Sequence, residues 1–376
     1  MMKKSNDRRS FIKKITAATT VAIVGATAGF SIDNKKPTKN TEVKNIQPLG
    51  FQWATRDPFL FCVHHEDYYP NGNKNLGPDA SLAGRQIGQD FIVKDGWRMY
   101  HGQTVPGFPF HPHRGFETVT VVRTGLVDHS DSLGASGRYG NGDVQWMTAG
   151  KGVQHAEMFP CINQDSDNPL ELFQIWLNLP SSSKFVEPHY KMLWEEEIPK
   201  HIHTDANGKK TLVEVIAGRI ENDKAPTPPP NSWANDQSNE VAIWNIKMEA
   251  GATWNLPKAS EEINRTLYFY KGGILNVSGQ EVKHYHSAEI EANTDILFTS
   301  GTEDCHILIL QGKPIGEPVV QHGPFVMNTR EEIQQAFEDY QRTQFGGWPW
   351  NSNSPVSPQE TGRFAKYSDG TEEVKS

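Results

Sequence analysis

The apolar positions of this chain recur in short runs with a period near two, and only near its end with the period of a helix. Residues 170–179, Leu-Glu-Leu-Phe-Gln-Ile-Trp-Leu-Asn-Leu, alternate apolar and polar for part of their length, as a half-buried strand does. The runs 118–122 and 212–217 are rich in β-branched residues and of strand length. A Pro-rich segment over 224–231 reads as a stiff loop. Beyond it the short-strand pattern resumes at 241–246, 265–270, 274–277, 296–299 and 307–310. Strands of this length, separated by turn signals, predict an all-β sandwich or barrel, and here two of them in succession. One helix is expected over 330–342. Thr329 and Glu332 fit a capping box, and Ile333, Ala336, Phe337 and Tyr340 mark one apolar face.

Length and composition agree with this pattern. The 376 residues suffice for two domains, and 32 Gly and 24 Pro supply many turns. The formal charge of −8 argues against electrostatic binding to nucleic acid or to an anionic membrane surface. Cys62, Cys161 and Cys305 form no CxxC pair, so they are expected to be buried thiols.

The amino terminus carries an address. Lys3, Lys4, Arg8, Arg9, Lys13 and Lys14 precede a modest apolar run that ends near Ala26-Thr27-Ala28. Asp7-Arg8-Arg9-Ser10-Phe11-Ile12-Lys13 resembles a twin-arginine signal. Removing 1–28 deletes those six positive charges and the single negative Asp7, taking the charge from −8 to −13. The expectation is a periplasmic or otherwise exported protein. It would meet the twin-arginine translocase during export and would not stay inserted in a membrane after cleavage. The expected divisions are a signal over 1–28, a linker over 29–48, a metal-binding barrel over 49–180, a second barrel over 181–345 and an irregular tail over 346–376.

Two segments carry the chemistry. His111 and His113 lie two residues apart, so in a strand both point to one face. About forty residues later His155 and Glu157 repeat the spacing. Three imidazoles and one carboxylate suit Fe, Mn, Ni, Cu, Co or Zn, whereas Ca and Mg prefer oxygen alone. Four protein ligands leave an octahedral ion two open positions, which a catalytic metal needs. Glu117 shares the parity of the histidines unless Gly115 breaks it, and is a candidate to support a ligand; the alternatives are a solvent-facing residue or a partner of Arg114. His284 and His286 form a second HxH without an HxE partner and are expected to be structural or exposed. Glu195-Glu196-Glu197 reads as a solvated charge run. No GxSxG, P-loop, GxGxxG or HExxH motif is present.

His-Pro-His-Arg-Gly-Phe-Glu-Thr-Val-Thr at 111–120 and the run from Gly142 to Met158 resemble the two signature segments of the pirin family. Gln321-His322-Gly323-Pro324-Phe325-Val326-Met327-Asn328-Thr329 is similar to a third. The resemblance implies two cupin barrels of jelly-roll type, with an iron-type ion in the first held by His111, His113, His155 and Glu157. It also makes residues 66–88 an insertion. Some pirins are quercetin 2,3-dioxygenases, so the resemblance implies O₂ and an aromatic, enolisable substrate, with Glu157 as general base. The alternative it leaves open is a non-enzymatic, metal-dependent redox sensor or partner-binding protein outside the cytoplasm.

Overall fold

The computed structural model describes residues 42–375. The signal expected over 1–28, and the expected linker up to residue 41, lie outside the described residues. Within them the fold is all-β with two barrels and one α-helix, as the short-strand pattern predicts.

The first barrel uses β2 (Gln52–Trp53), β3 (Phe59–Tyr69), β4 (Gly107–His113), β5 (Phe116–Thr124), β6 (Leu126–Asp131), β7 (Ser136–Gly140), β8 (Val144–Thr148), β9 (Val153–Met158), β10 (Asn168–Asn178) and β11 (His189–Leu193), while β1 (Val43–Pro48) joins the second. One sheet runs β11-β8-β5-β10-β3-β2, and the facing sheet contains β7-β6-β9-β4. The second barrel faces a seven-stranded sheet against the four strands Thr253–Leu256, Ile296–Ser300, Ile274–Val277 and Gln280–Lys283. The helix Arg330–Thr343 carries the expected capping box and buries Ile333, Ala336 and Tyr340. No helix among the described residues is long and apolar enough to cross a membrane.

The barrels meet sheet to sheet. Val119, Val121, Val144, Trp146, Phe173 and Ile175 of the first pack against Ile243, Tyr268, Tyr270, Leu308 and Leu310 of the second. Trp53 stacks on Tyr268 with ring centroids 5.1 Å apart. Each such side chain fully buried contributes about 1.5–3 kcal/mol, so this apolar contact is unlike the polar seams of hinged domains. It also corrects the expectation of a half-buried strand over 170–179. From Leu172 onward β10 is covered on both faces, by the second barrel on one and the interior of its own on the other.

Three boundaries differ from expectation. Residues 43–48 form β1, which pairs with His286–Ile290 at the edge of the second barrel. Only Val43 of that strand is buried, so its polar sequence looks like a linker. The tail is not irregular throughout: Arg363–Lys366 and Glu372–Lys375 extend the first barrel beside β7. Ala365 alone of these is fully buried, too faint an apolar signal to read as a strand. The first barrel also takes β11, beyond the boundary placed at 180.

Candidate metal centre

β4 and β9 are neighbours in one sheet, and their register sets His111 directly opposite His155. A bulge between Phe108 and His111 shifts the next contact, so that Glu157 faces Phe108. On the other side of β9, His129 of β6 lies opposite Glu157 and Asp131 opposite His155. The two i,i+2 pairs read from the sequence thus point into one barrel from adjacent strands.

One ring nitrogen from each of His111, His113 and His155 lies within 4.8 Å of those of the other two. The His111 and His155 Nε2 atoms approach to 3.1 Å. His111 Nδ1 lies 2.9 Å from the Pro109 carbonyl and His113 Nδ1 3.4 Å from that of Pro324. Those carbonyls accept the Nδ1 protons and turn the Nε2 lone pairs inward. Burial lowers all three imidazole pKa values, that of His111 to about 4 and those of His113 and His155 further below the usual range. Mutual repulsion among the rings acts in the same direction. Three uncharged imidazoles with converging lone pairs fit a cation, which replaces the poor contact between facing Nε2 atoms.

Glu157 sits beside this cluster, with Oε2 3.9 Å from His155 Nε2. Thr120 Oγ1 donates to its Oε1 at 2.7 Å, Gln174 Nε2 donates to Oε2 at 3.1 Å, and the Tyr139 hydroxyl lies 3.4 Å from Oε1. Burial raises its carboxyl pKa against the pull of these donors. Thr120 and Gln174 are cross-strand partners on the inner face of the sheet that meets the second barrel. The sheet that packs on the second barrel therefore carries, on its other face, the donors that aim Glu157. Aromatic rings wall the histidines: Phe116 and Trp176 lie 5.0 and 5.5 Å from His113, and Phe108 lies 6.4 Å from His111.

Sequence reasoning missed Thr120, Tyr139, Gln174, His129 and Asp131. His129 and Asp131 are another i,i+2 polar pair on a strand, the same signal that marked the candidate ligands. His129 is wholly buried, 3.3 Å from Asp131 Oδ2, with its ring 5.5 Å from that of His155. His284 is exposed, and His286 Nδ1 contacts the His284 carbonyl at 2.9 Å, so this pair builds no cluster. Glu195, Glu196 and Glu197 are surface partners of Lys200, Arg363 and Lys375. All three cysteines are free and buried.

Glu117 corrects the sequence reading. Gly115, at φ +87°, turns the chain between β4 and β5, and a Cβ there would lie 2.0 Å from the Val326 carbonyl oxygen. The parity of His111 and His113 is lost at that turn. Glu117 faces the domain interface, where Thr148 Oγ1, Ser232 Oγ and Trp146 Nε1 donate to it at 2.7, 2.6 and 3.3 Å. Arg114 pairs instead with Asp339 of the helix.

Burial pushes the Glu117 carboxyl from 4.5 up to about 7. A carboxyl raised by folding keeps its proton more tightly in the native state, so its contribution is fullest below pH 4.5 and is lost as pH rises to 7. Relative to Glu117→Gln, the wild type should lose about 3 kcal/mol across that window. Urea midpoints of both proteins at acidic and mildly alkaline pH measure this. A difference that does not change with pH would show that Glu117 is not held protonated. The histidine cluster titrates in the opposite sense but is common to both proteins.

Residues 40–177 match the Pirin family and residues 243–346 match the Pirin C-terminal cupin domain. A Pseudomonas aeruginosa protein provisionally named as a quercetin 2,3-dioxygenase is 38% identical over 62% of this chain and 78% of its own. A pirin-like protein of Caulobacter vibrioides is 37% identical over 71% of this chain and 90% of its own. The crystal structure of a quercetin 2,3-dioxygenase from Acinetobacter baumannii superposes with a TM-score of 0.63 and 26% identity, covering 81% of this chain and 99% of that one.

Proposed function

The chain belongs to the pirin family, and from that premise we propose that it is a metal-dependent dioxygenase that uses O₂ on quercetin, a related flavonol or another enolisable phenolic. The observation that carries this reading is the convergence of three uncharged imidazoles beside one anchored carboxylate inside an aromatic-walled barrel. His111, His113 and His155 would hold one divalent transition metal, with Fe(II) the first candidate and Glu157 the fourth ligand. When bound, such an ion supplies Lewis-acid polarisation of a substrate oxygen and one-electron chemistry toward O₂.

The chain's own groups divide the remaining work. Thr120 and Gln174 hold the Glu157 carboxylate on the edge of the cluster, within reach of an enolic hydroxyl proton. Phe108, half-buried beside His111, offers flat apolar surface for an aromatic ring, while Phe116 and Trp176, buried against His113, keep water from that side of the cluster. His111 is the partly exposed ligand and marks the side from which substrate enters.

The resemblance of the Arg8-Arg9 segment to a twin-arginine signal supports a reading in which this activity lies outside the cytoplasm. Export of the folded chain would let a weakly bound metal be installed before Cu or Zn can compete. Protein taken from the periplasmic fraction is expected to contain about one equivalent of a first-row metal by elemental analysis, and to consume O₂ when mixed with quercetin or a member of a panel of enolisable phenolics. Metal-loaded protein that takes up no O₂ with any of them is not a dioxygenase; its metal would then serve partner binding or redox sensing.

A further inference from the structure

The connection from β3 to β4, residues 70–106, is long, and buried polar bonds tie it to the barrel. Arg98 donates to both carboxylate oxygens of Asp67 in β3, at 2.9 and 3.0 Å. The Tyr100 hydroxyl donates to the same carboxylate at 2.5 Å and lies 2.7 Å from His65 Nδ1. Asp90 accepts from the Met99 N–H at 2.9 Å and from Arg85 at 3.0 Å, and its backbone pairs with that of Tyr100. A buried network satisfied in this way holds a loop in one arrangement.

The anchored segment brings aromatic side chains to the edge of the metal centre. His65, Tyr100 and Phe159 are buried and form an inner layer, with ring centroids 5.2–6.0 Å from that of Phe108. Over it lies an outer layer that stays partly exposed, made of Phe108 from β4 and of Phe91 and His101 from the connection. Phe108 lies 6.4 Å from His111, 6.3 Å from Phe91 and 5.8 Å from His101. Phe91 and His101 are 5.0 Å apart, and Phe51, half exposed, continues the row 6.2 Å beyond Phe91. The inner rings support Phe91 and Phe108 from beneath and leave the rest of each open to solvent. Contiguous apolar surface running from a site's mouth marks where an apolar part of a ligand lies.

We propose that Phe91 and His101 are specificity-determining residues that receive a second aromatic ring of the substrate. The preferred substrate is then an enolisable ring that bears an aryl substituent, and a single-ring enol is a poor one. This inference rests on the dioxygenase reading of the metal centre. A ring whose enolic oxygen faces His111 and Glu157 covers Phe108. Only a substituent directed away from the histidines goes on to Phe91 and His101, where it meets two rings at once and leaves water.

The test compares 3-hydroxyflavone with 3-hydroxychromone, which keeps the enol and the ketone and lacks the aryl substituent. Anaerobic absorbance titration of the Fe(II)-loaded full chain gives both dissociation constants, and O₂ uptake is followed separately. 3-Hydroxyflavone should bind at least about tenfold more tightly, the effect of covering part of one ring. In Phe91→Ala that advantage should fall to about two- to threefold. His101→Ala keeps the backbone bond to the Gly107 carbonyl and should shrink the advantage in the same way. Equal affinities in the wild type, an advantage that survives both substitutions, a Phe91→Ala protein that loses both ligands alike, or no binding of either compound would each overturn the proposal. If Phe91→Ala does not fold, the wild-type ratio and His101→Ala still decide. Tight, Phe91-dependent binding without O₂ uptake would sink the oxygenase reading and leave the aryl subsite standing.

Discussion

Replacing His155 with Ala is expected to lower metal affinity by more than about 100-fold, beyond the roughly 10- to 100-fold cost of losing a hydrogen-bond partner behind a ligand. His155 is the hinge of the cluster. Its ring lies 4.5 Å from that of His111 and 4.9 Å from that of His113, and its side chain is wholly buried. The same strand carries Glu157, and the other nearby imidazole, His129 of β6, is turned to Asp131 at 3.3 Å. The substitution should cost the metal-free protein little beyond a small cavity. It removes a buried imidazole whose Nδ1 has no partner and whose charged form the site disfavours. The two effects separate in a thermal-shift experiment. An ion bound only by the native state stabilises it by about 4 kcal/mol at a thousandfold excess over its dissociation constant. Wild-type protein should therefore melt higher when Fe(II) or Mn(II) is added anaerobically, and His155→Ala should not. An equal rise in both would place the metal elsewhere and remove the basis for the proposed oxygenase.

The residues proposed as ligands were legible in the sequence for a simple reason. Their spacing matches the period of a strand, and each pair needed only its own strand to be meaningful. Glu117 obeys the same arithmetic and was misplaced, because one glycine at φ +87° carried β5 into the opposite sheet. Local periodicity survives within an element and fails across a turn. The donors to Glu157 were invisible for another reason. Thr120 and Gln174 reach it through the pairing of β5 with β10, and no local pattern records which strand pairs with which. The edges β1 and Arg363–Lys366 were hidden because edge strands bury little, so their composition resembles linker. The barrel cores were easier, since strands such as Ile274–Val277 and Cys305–Gly312 announce themselves by β-branched runs between turns.

Arg138→Met is expected to destabilise the first barrel by about 3–5 kcal/mol, the cost of stranding a buried charge. Arg138 is fully buried, and its Nε and Nη2 bond the two carboxylate oxygens of Asp128 at 2.7 and 2.8 Å. Its remaining donors reach into the tail, to the carbonyls of Ser357, Pro358 and Thr361 at 2.8–2.9 Å. Methionine fills much of the volume but leaves Asp128 with the Ser357 backbone N–H alone, and frees three carbonyls at once. Burial already raises the Asp128 carboxyl despite the guanidinium, so without Arg138 the acid should hold its proton more tightly still. Adding Asp128→Asn should then recover part of the loss, as removing the second charge does in other buried pairs. The damage should reach the metal, because the same tail crosses β4: the Phe110 N–H donates to the Asn353 carbonyl at 2.8 Å, and Trp348 lies 5.2 Å from the Phe110 ring. Urea unfolding measures the first effect, and limited proteolysis between residues 350 and 362 the second. A variant within about 1 kcal/mol of the wild type, with its tail still protected, would mean that water satisfies Asp128 and the barrel does not depend on this anchor.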